Sequence, residues 1–577
     1  MNLYVSLSRY CTAIFVYRRW IAVVSVLLAI SVGAGALRLE STPNNRVFFG
    51  ANNPELAAFQ NLEATYSEAN QVLIAIAAAN GDMFSPERLA ILAEVTESLW
   101  RIPFSTRVDS IANFQYSRAE GDDLIISDLI PLGRQPTADE AEAIRRIALG
   151  EPLLTGLLIS HDGRTAGINV NFRLPEDIPA AIPEIVDSIR AITDQLTADS
   201  PDLQAYLTGN VMIMSAFGEA SERDLTTLIP VMFVAITAVL LLLIPTVMGV
   251  ALALLLGLLS NAVAMGFAGW TGVVLNAGSS PAPLIILTLA LAYSVHMLTR
   301  FLDEYATGSS KREAITETVQ SNLVPVGLTS LTTVIGFLSM NASDAPPFHD
   351  LGTIVAVGVL AAFAFSFTLF PAALAILPIR QPKLKARDAP FVRKYSRFVI
   401  GNRHVIFFTM LILIVAMATG ITRIQLNDDW VRYFDDRFQF RQDTEFVLEN
   451  LTGIDVLEYS IPATGENGIF APSYLTRLDR FVDWLREQPD IVNVVSIVDS
   501  LKRINSNLHG DDPDAFSVPA DMASAAQYLL LYQLSLPRGL DLTDRVSVDH
   551  SASRVTITAR KNGTNLQSRE LRELAGR

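Results

Sequence analysis

Seven stretches of this chain are apolar for the length of a bilayer crossing, and they decide its environment before any other feature does. They run about Ile21–Leu37, Leu225–Ile244, Thr246–Trp270, Pro281–Phe301, Asn322–Met340, Leu351–Leu377 and Val405–Ile421. As a helix, about 20 apolar residues cross the hydrocarbon core. Half of the 577 residues are hydrophobic and 18% are charged, yet the net charge is −15. Charge is therefore concentrated between the spans. The single cysteine, Cys11, excludes an internal disulfide framework and a cysteine-based metal site.

Lysine and arginine in short loops orient a membrane chain, with the basic side cytoplasmic. Arg9, Arg18 and Arg19 precede the first span, and Lys311 and Arg312 follow the fourth. Arg380, Lys383, Lys385, Arg387, Arg393, Lys394, Arg397 and Arg403 fill the linker between the sixth and seventh. If the spans alternate, all of these lie on one side, and the two long polar regions lie outside. The expected organisation is a cytoplasmic N-terminus and first span (1–37), an outer domain (38–224) and a five-span bundle (225–378). A basic linker (379–404), a seventh span (405–422) and a second outer domain (423–577) complete it.

The two outer regions resemble each other. Arg38-Leu39 through Asn44-Asn45-Arg46-Val47-Phe48-Phe49 matches Arg423-Ile424 through Asp428-Asp429-Trp430-Val431-Arg432-Tyr433-Phe434. Residues 71–76 match 456–461, a helix at 85–100 matches one at 473–487, 107–111 match 494–498, and 164–170 match 553–558. Repeats related by an axis along the membrane normal are a transporter architecture. The first outer region is followed by five spans, so the repeat predicts five more after residue 577, led by a helix over 567–577. The expectation is a piece of a longer protein. The plainer alternative is a seven-span protein with a free outer tail.

Both outer regions read as mixed α/β, with strands at 71–78 and 166–173 and helices at 54–66, 85–100, 137–149 and 181–197. Helices on one face of a small sheet are the expected layering, and Leu174-Pro175-Glu176-Asp177 reads as a turn. The sequence holds no glycine-rich phosphate loop, no Cys/His metal spacing and no nucleophile elbow. It gives no reason to expect an enzyme, a cofactor or a nucleic-acid partner.

The fourth span carries a polar interruption, Tyr293-Ser294-Val295-His296, followed by Arg300-Phe301. Polar groups at membrane depth are expensive and often mark an ion or substrate path. At helical spacing Tyr293, His296, Arg300 and Glu304 share a face. In the fifth span Thr329, Thr333 and Gly336 share another, with Ser330 beside it. Such small and hydroxyl residues either line a relay opposite His296 or serve plain helix packing. Arg300 and Glu304 have the plainer reading of snorkelling at the interface, and His296 that of a bond to a neighbouring helix. Asn261 reads as a packing bond, and His349-Asp350 as a solvated helix start.

These motifs resemble the resistance–nodulation–division superfamily in its MMPL or predicted-exporter branch. The likeness rests on Leu275-Asn276 and on Ala292-Tyr293-Ser294-Val295-His296-Met297-Leu298-Thr299-Arg300-Phe301 with Glu304. It rests also on Pro325-Val326-Gly327-Leu328-Thr329-Ser330-Leu331-Thr332-Thr333-Val334-Ile335-Gly336-Phe337-Leu338-Ser339 and on the order of spans and domains. The resemblance implies a multi-span α-helical membrane protein with a sterol-sensing-type five-helix bundle. Its extracytoplasmic α/β domains would be ferredoxin-like and of porter type. It implies proton-driven export of lipids or other hydrophobic molecules from a bacterial inner membrane. Protons, membrane lipids and a hydrophobic substrate are then the partners, and a homo-oligomer stays open. Relatives carry an aspartate in this span as proton carrier, at the position read here as Tyr293. A buried tyrosine is a poor carrier at neutral pH. His296, whose ordinary pKa suits proton exchange, becomes the candidate, with Tyr293, Arg300, Thr329, Ser330 and Thr333 as relay candidates around it. A non-transporting lipid-sensing protein and an inactive transporter fragment are the alternatives.

Overall fold

The computed structural model describes residues 2–42, 44–50, 52–66, 70–120, 123–175, 178–381, 390–424, 429–488, 491–537 and 539–559. Lys383, Lys385 and Arg387 of the linker, Glu176 and Asp177 of the expected turn, and the expected helix at 567–577 lie outside the described residues. Seven helical runs are long and apolar enough to cross a membrane: Arg9–Arg38, Asn210–Leu242, Val247–Thr271, Ala282–Ala306, Lys311–Ala342, Pro346–Ile376 and Arg403–Arg423.

In chain order, α1 (Asn2–Gly33) is followed by β1 (Glu40–Ser41), α2 (Pro54–Thr65), β2 (Gln71–Ala78), α3 (Pro86–Leu99) and β3 (Ser105–Ser110). The hairpin β4 (Gln115–Glu120) and β5 (Asp123–Asp128) precedes α4 (Ala138–Gly150), β6 (Thr165–Phe172), α5 (Ile178–Asp199) and β7 (Leu203–Thr208). Then come α6 (Asn210–Arg223), α7 (Ile229–Leu243), α8 (Val247–Thr271), β8 (Val274–Leu275), α9 (Ala282–Ala306), α10 (Lys311–Leu338), α11 (Pro346–Phe367) and α12 (Leu369–Ile376). The rest comprises α13 (Pro390–Gly401), α14 (Arg403–Ala418), α15 (Gln439–Asn450), β9 (Asp455–Pro462), α16 (Pro472–Arg486), β10 (Ile491–Val495), α17 (Ile497–Leu508), α18 (Met522–Ser535) and β11 (Ala552–Ala559). The chain divides into two units, Met1–Asn53 with Glu219–Gln425, and Pro54–Gly218 with Leu426–Arg577.

The first unit is a helix bundle held by close approach. Between apolar helices in lipid there is no hydrophobic driving force, so small residues that admit tight contact decide the packing. A Cβ on Gly266 of α8 would fall on the carbonyl oxygen of Val32, and one on Gly35 on that of Gly266. Trp270 Nε1 donates to Val32 O at 3.0 Å, and Arg38 stacks on the Trp270 ring at 4.5 Å. Just beyond, β1 pairs in parallel with β8, Glu40 opposite Val274. Residues 38–53 therefore go with the bundle. A capping box, Ser310 with Glu313, starts α10. By contrast, α14 buries none of its residues.

Beside the β4–β5 hairpin, the second unit holds, among the described residues, two larger antiparallel sheets of matching order. The first runs β3-β6-β2-β7 and the second β10-β11-β9. Residues 71–76 and 456–461, matched in sequence, thus each lie beside the return strand β6 or β11. The match at 494–498 is only half strand: β10 stops at Val495, and Ser496 caps α17. The halves exchange elements. Leu73 and Ala75, on one face of β2, pack against Val447 and Leu451 of the second half. Leu207 N–H donates to Asp443 Oδ2 at 3.0 Å, the Thr208 and Thr444 hydroxyls meet at 2.8 Å, and the Tyr206 and Phe446 rings stack at 3.6 Å. In return, Tyr66 at the end of α2 bonds Ser460 of β9 at 2.9 Å. Arg107 Nη1 donates to Asp541 O at 2.7 Å, and Glu151 pairs with Arg503. Burial pushes the Glu151 and Asp443 carboxyls up from their ordinary range.

Replacing Gly266 by leucine should release α1 from α8. Overpacking costs about 1–3 kcal/mol in ordinary cores, and here the obstacle is rigid backbone. We expect a lower melting temperature in detergent and loss of an engineered cross-link between Val32 and Trp270 positions. An unchanged melt with the cross-link intact would refute this packing.

Candidate functional site in the membrane bundle

Three contacts set the rotation of α9. Leu287 and Leu298 lie where Cβ atoms on Gly257 and Gly249 of α8 would stand, each 2.6 Å away. Ile286 occupies the space over Gly358 of α11, 2.5 Å from the corresponding position. Arg300 Nη2 reaches Glu317 of α10 at 3.1 Å and Glu304 one turn on at 2.8 Å.

With α9 so held, Tyr293 is 3% exposed and Ser294 is fully buried. The Ser294 hydroxyl donates to Ala290 O at 2.8 Å. His296 is exposed instead, in a stripe with Leu284, Thr288 and Ala292. The expected common face of Tyr293 and His296 is therefore divided. The two residues are 60° apart on the helix, and the bundle's edge passes between them. Ala292, not Tyr293, shares the outward face with His296.

The fifth-span hydroxyls divide in the same way. Thr329 is exposed and donates to Pro325 O of its own helix at 2.9 Å. Ser330 is buried, Thr333 is half-buried, and Gly336 is exposed with open space around it. The short link between α9 and α10, residues 307–310, and the Arg300–Glu317 contact fix the register of this hairpin. By it His296 is level with Ser321, and Thr329 with Thr288, two turns away. Thr329 and Thr333 do not stand opposite His296, contrary to expectation, because α9 and α10 are antiparallel.

Inside the bundle, polar atoms remain without partners. Among the described residues of this unit, these are Asn261 Oδ1, Tyr293 OH, Arg300 Nε, Ser330 Oγ and Ser366 Oγ. Leaving a buried hydroxyl unbonded costs about 1–3 kcal/mol. Ser366 was not read from the sequence, where one serine among the phenylalanines of the sixth span gave no signal. The Ile286–Gly358 contact makes Ser366 level with Ser294, next to Tyr293. One residue on, Phe367 O accepts from Tyr10 OH of α1 at 2.7 Å. Glu317 was also missed, since nothing in its spacing ties it to Arg300. At the other end of the bundle, His349 Nε2 lies 2.5 Å from Ser343 O, and Asp350 is half-buried in the second turn of α11. Among the described residues no group of three or more His, Cys, Asp or Glu could hold a metal ion.

The chain is similar to known proteins over much of its length. A family model described as MMPL family matches residues 49–402. The siderophore exporter MmpL5 of Mycobacterium tuberculosis is 27% identical over 248 residues, 41% of this chain and 25% of its own length. The probable transport protein MmpL10 of Mycobacterium leprae is 22% identical over 375 residues, 61% of this chain and 35% of its own. The mycolic acid-containing lipids exporter MmpL11 of Mycolicibacterium smegmatis is 20% identical over 308 residues, 50% and 32%. The chain thus spans about a quarter to a third of the length of these relatives.

Tyr293→Phe deletes a buried hydroxyl that has no partner. Thermal unfolding in detergent should show no loss of stability, and a gain of up to about 1 kcal/mol is expected. A fall of several degrees would mean that the hydroxyl is bonded in the folded protein.

Proposed function

Because the chain belongs to the MMPL family, a branch of the resistance–nodulation–division superfamily, we propose that it forms part of a proton-driven exporter of lipids or other hydrophobic molecules. It is a multi-pass membrane protein. The exporter names of the relatives support the substrate class. The basic loops support a bacterial inner-membrane setting with residues 38–224 and 423–577 in the periplasm. The sheet order β3-β6-β2-β7, with α3 and α5 as the two crossovers, is the split β-α-β arrangement and supports ferredoxin-like, porter-type domains.

One observation carries the proton-coupling part. His296 stands near the middle of an apolar helix with its side chain outward. An ionisable group at that depth needs a polar path or partner. On α10, Ser321, Pro325, Thr329 and Thr332 are exposed too, interleaved with the exposed Val324, Leu328 and Leu331. In this reading His296 takes and releases the proton between α9 and α10, Arg300 with Glu304 and Glu317 forms the charged end of the path, Tyr293 backs His296 from the buried side, and Thr329, Ser330 and Thr333 line the path further along α10. A second reading, lipid sensing without transport, is favoured by one fact: α9 has no carboxylate between Ala282 and Leu302.

Proton-dependent lipid efflux by the complete protein in proteoliposomes separates the two. His296→Ala should abolish most of the efflux that an imposed proton gradient drives, while lipid binding persists. Unchanged gradient-driven efflux removes His296 as carrier, and no efflux by the unaltered protein favours the sensing reading.

A further inference from the structure

We propose that Arg18, Lys311 and Arg312 form a site for the phosphate of an anionic phospholipid at one end of the membrane bundle. Arg18 lies on α1, and the other two residues begin α10. Phe15 joins them. Its ring lies 5.6 Å from the Arg312 guanidinium, and its carbonyl accepts from Arg18 Nη1 at 2.9 Å. Arg312 Nη2 also donates to Thr12 Oγ1 at 3.2 Å, and Lys311 Nζ donates to Leu377 O, just past α12, at 2.5 Å. Arg18 and Lys311 are close enough for their charges to repel.

Each of these bonds ends on a neutral oxygen. Among the described residues no carboxylate pairs with Arg18, Lys311 or Arg312. Glu313, next in the chain, accepts instead from Ser310 N–H at 2.8 Å, and Glu317 pairs with Arg300. The three cations are thus positioned by backbone, a hydroxyl and a ring, with most of their N–H donors unused. Like charges held together raise the energy of the fold until an anion joins them. A phosphate suits these donors, because guanidinium forks grip its oxygens in pairs and an ammonium adds a point charge. Depth indicates where the phosphate comes from. Tyr17 and Trp20, on either side of Arg18 in the chain, are 59% and 72% exposed, and such rings sit at the level of lipid headgroups. Lys311 starts the fifth apolar run, and Leu377 follows the sixth directly, so the trio stands where headgroups stand. Basic pockets between spans bind such groups. The site needs α1 and α10 as spans, and proton-driven export plays no part in it.

Native mass spectrometry of the full chain in a neutral detergent tests the site. The probes are short-chain phosphatidylglycerol, short-chain phosphatidylcholine and inorganic phosphate. Phosphatidylglycerol should form an adduct, and phosphatidylcholine should bind about tenfold more weakly. Arg18→Gln with Lys311→Gln and Arg312→Gln should weaken the phosphatidylglycerol adduct about tenfold or more. Lys394→Gln with Arg397→Gln and Arg403→Gln removes as much exposed charge elsewhere and should leave the adduct unchanged. Arg312→Lys alone keeps the charge but loses the fork, and should cost part of the affinity. Without lipid, the first triple variant should melt no lower than the unaltered chain, because a repulsion has been removed. A lower melting temperature would overturn the proposal by showing that the cations stabilise the fold unaided. Equal binding of the two lipids, or an unchanged adduct in the first triple variant, would overturn it as well. Displacement of the lipid by an equal concentration of inorganic phosphate would overturn the lipid in favour of free phosphate. Gradient-driven efflux is not read, so a failed transport assay leaves this result standing.

Discussion

Close approach between helix backbones is the constraint on which the membrane unit depends. In hydrocarbon the helices gain nothing from hiding apolar area, and contact distance decides how they lie. Glycines on α8 and α11 leave space that Leu287, Leu298 and Ile286 of α9 fill. That fixes the rotation of α9 about its axis. Once the rotation is fixed, Tyr293 has to be inside and His296 outside. The polarity of the site is thus set by residues that carry no polar side chain at all.

The sequence makes the membrane unit legible because span length and apolarity are one-dimensional properties. Seven runs are expected and seven are found among the described residues, but those that begin at Arg9, Asn210 and Lys311 start three to four turns before the apolar stretch, where helices continue into the polar flanks. The α/β character of the second unit is equally visible, from strands at 71–78 and helices such as 86–99. Rotation is different. A period of 3.6 residues tells which side chains neighbour one another on a helix, not which of them the bundle covers. Tyr293 and His296 are neighbours by spacing, but what separates them is the shape of α8, α10 and α11. Ser366 and Glu317 were invisible for the same reason, because their importance lies in the register between helices.

The soluble unit shows a second kind of information that spacing cannot supply. Its two sheets share a strand order, and the matching segments of sequence foretell that. The packing of α15 against β2 and β7 of the first half does not follow from any local pattern. Asp443 is a buried acid on a short helix, and only the neighbouring strand edge, with its Leu207 N–H, explains why it is there. Burial of such a carboxyl is costly unless hydrogen bonds meet it, and here the bonds come from both halves.

That packing has a consequence for how the chain is made. The contact between Leu207 and Asp443 joins residues 236 apart. When β7 leaves the ribosome, the segment that will cover Leu73 and Ala75 has not been synthesised, and six apolar runs from α6 to α14 must come first. The first sheet therefore waits with one apolar face open while the membrane helices insert. Contacts so distant in sequence form late, and apolar surface left open in the interval invites wrong association. Assembly of the second unit is in this way timed by synthesis of the seventh apolar run, because neither of its halves is finished before the residues between them are made.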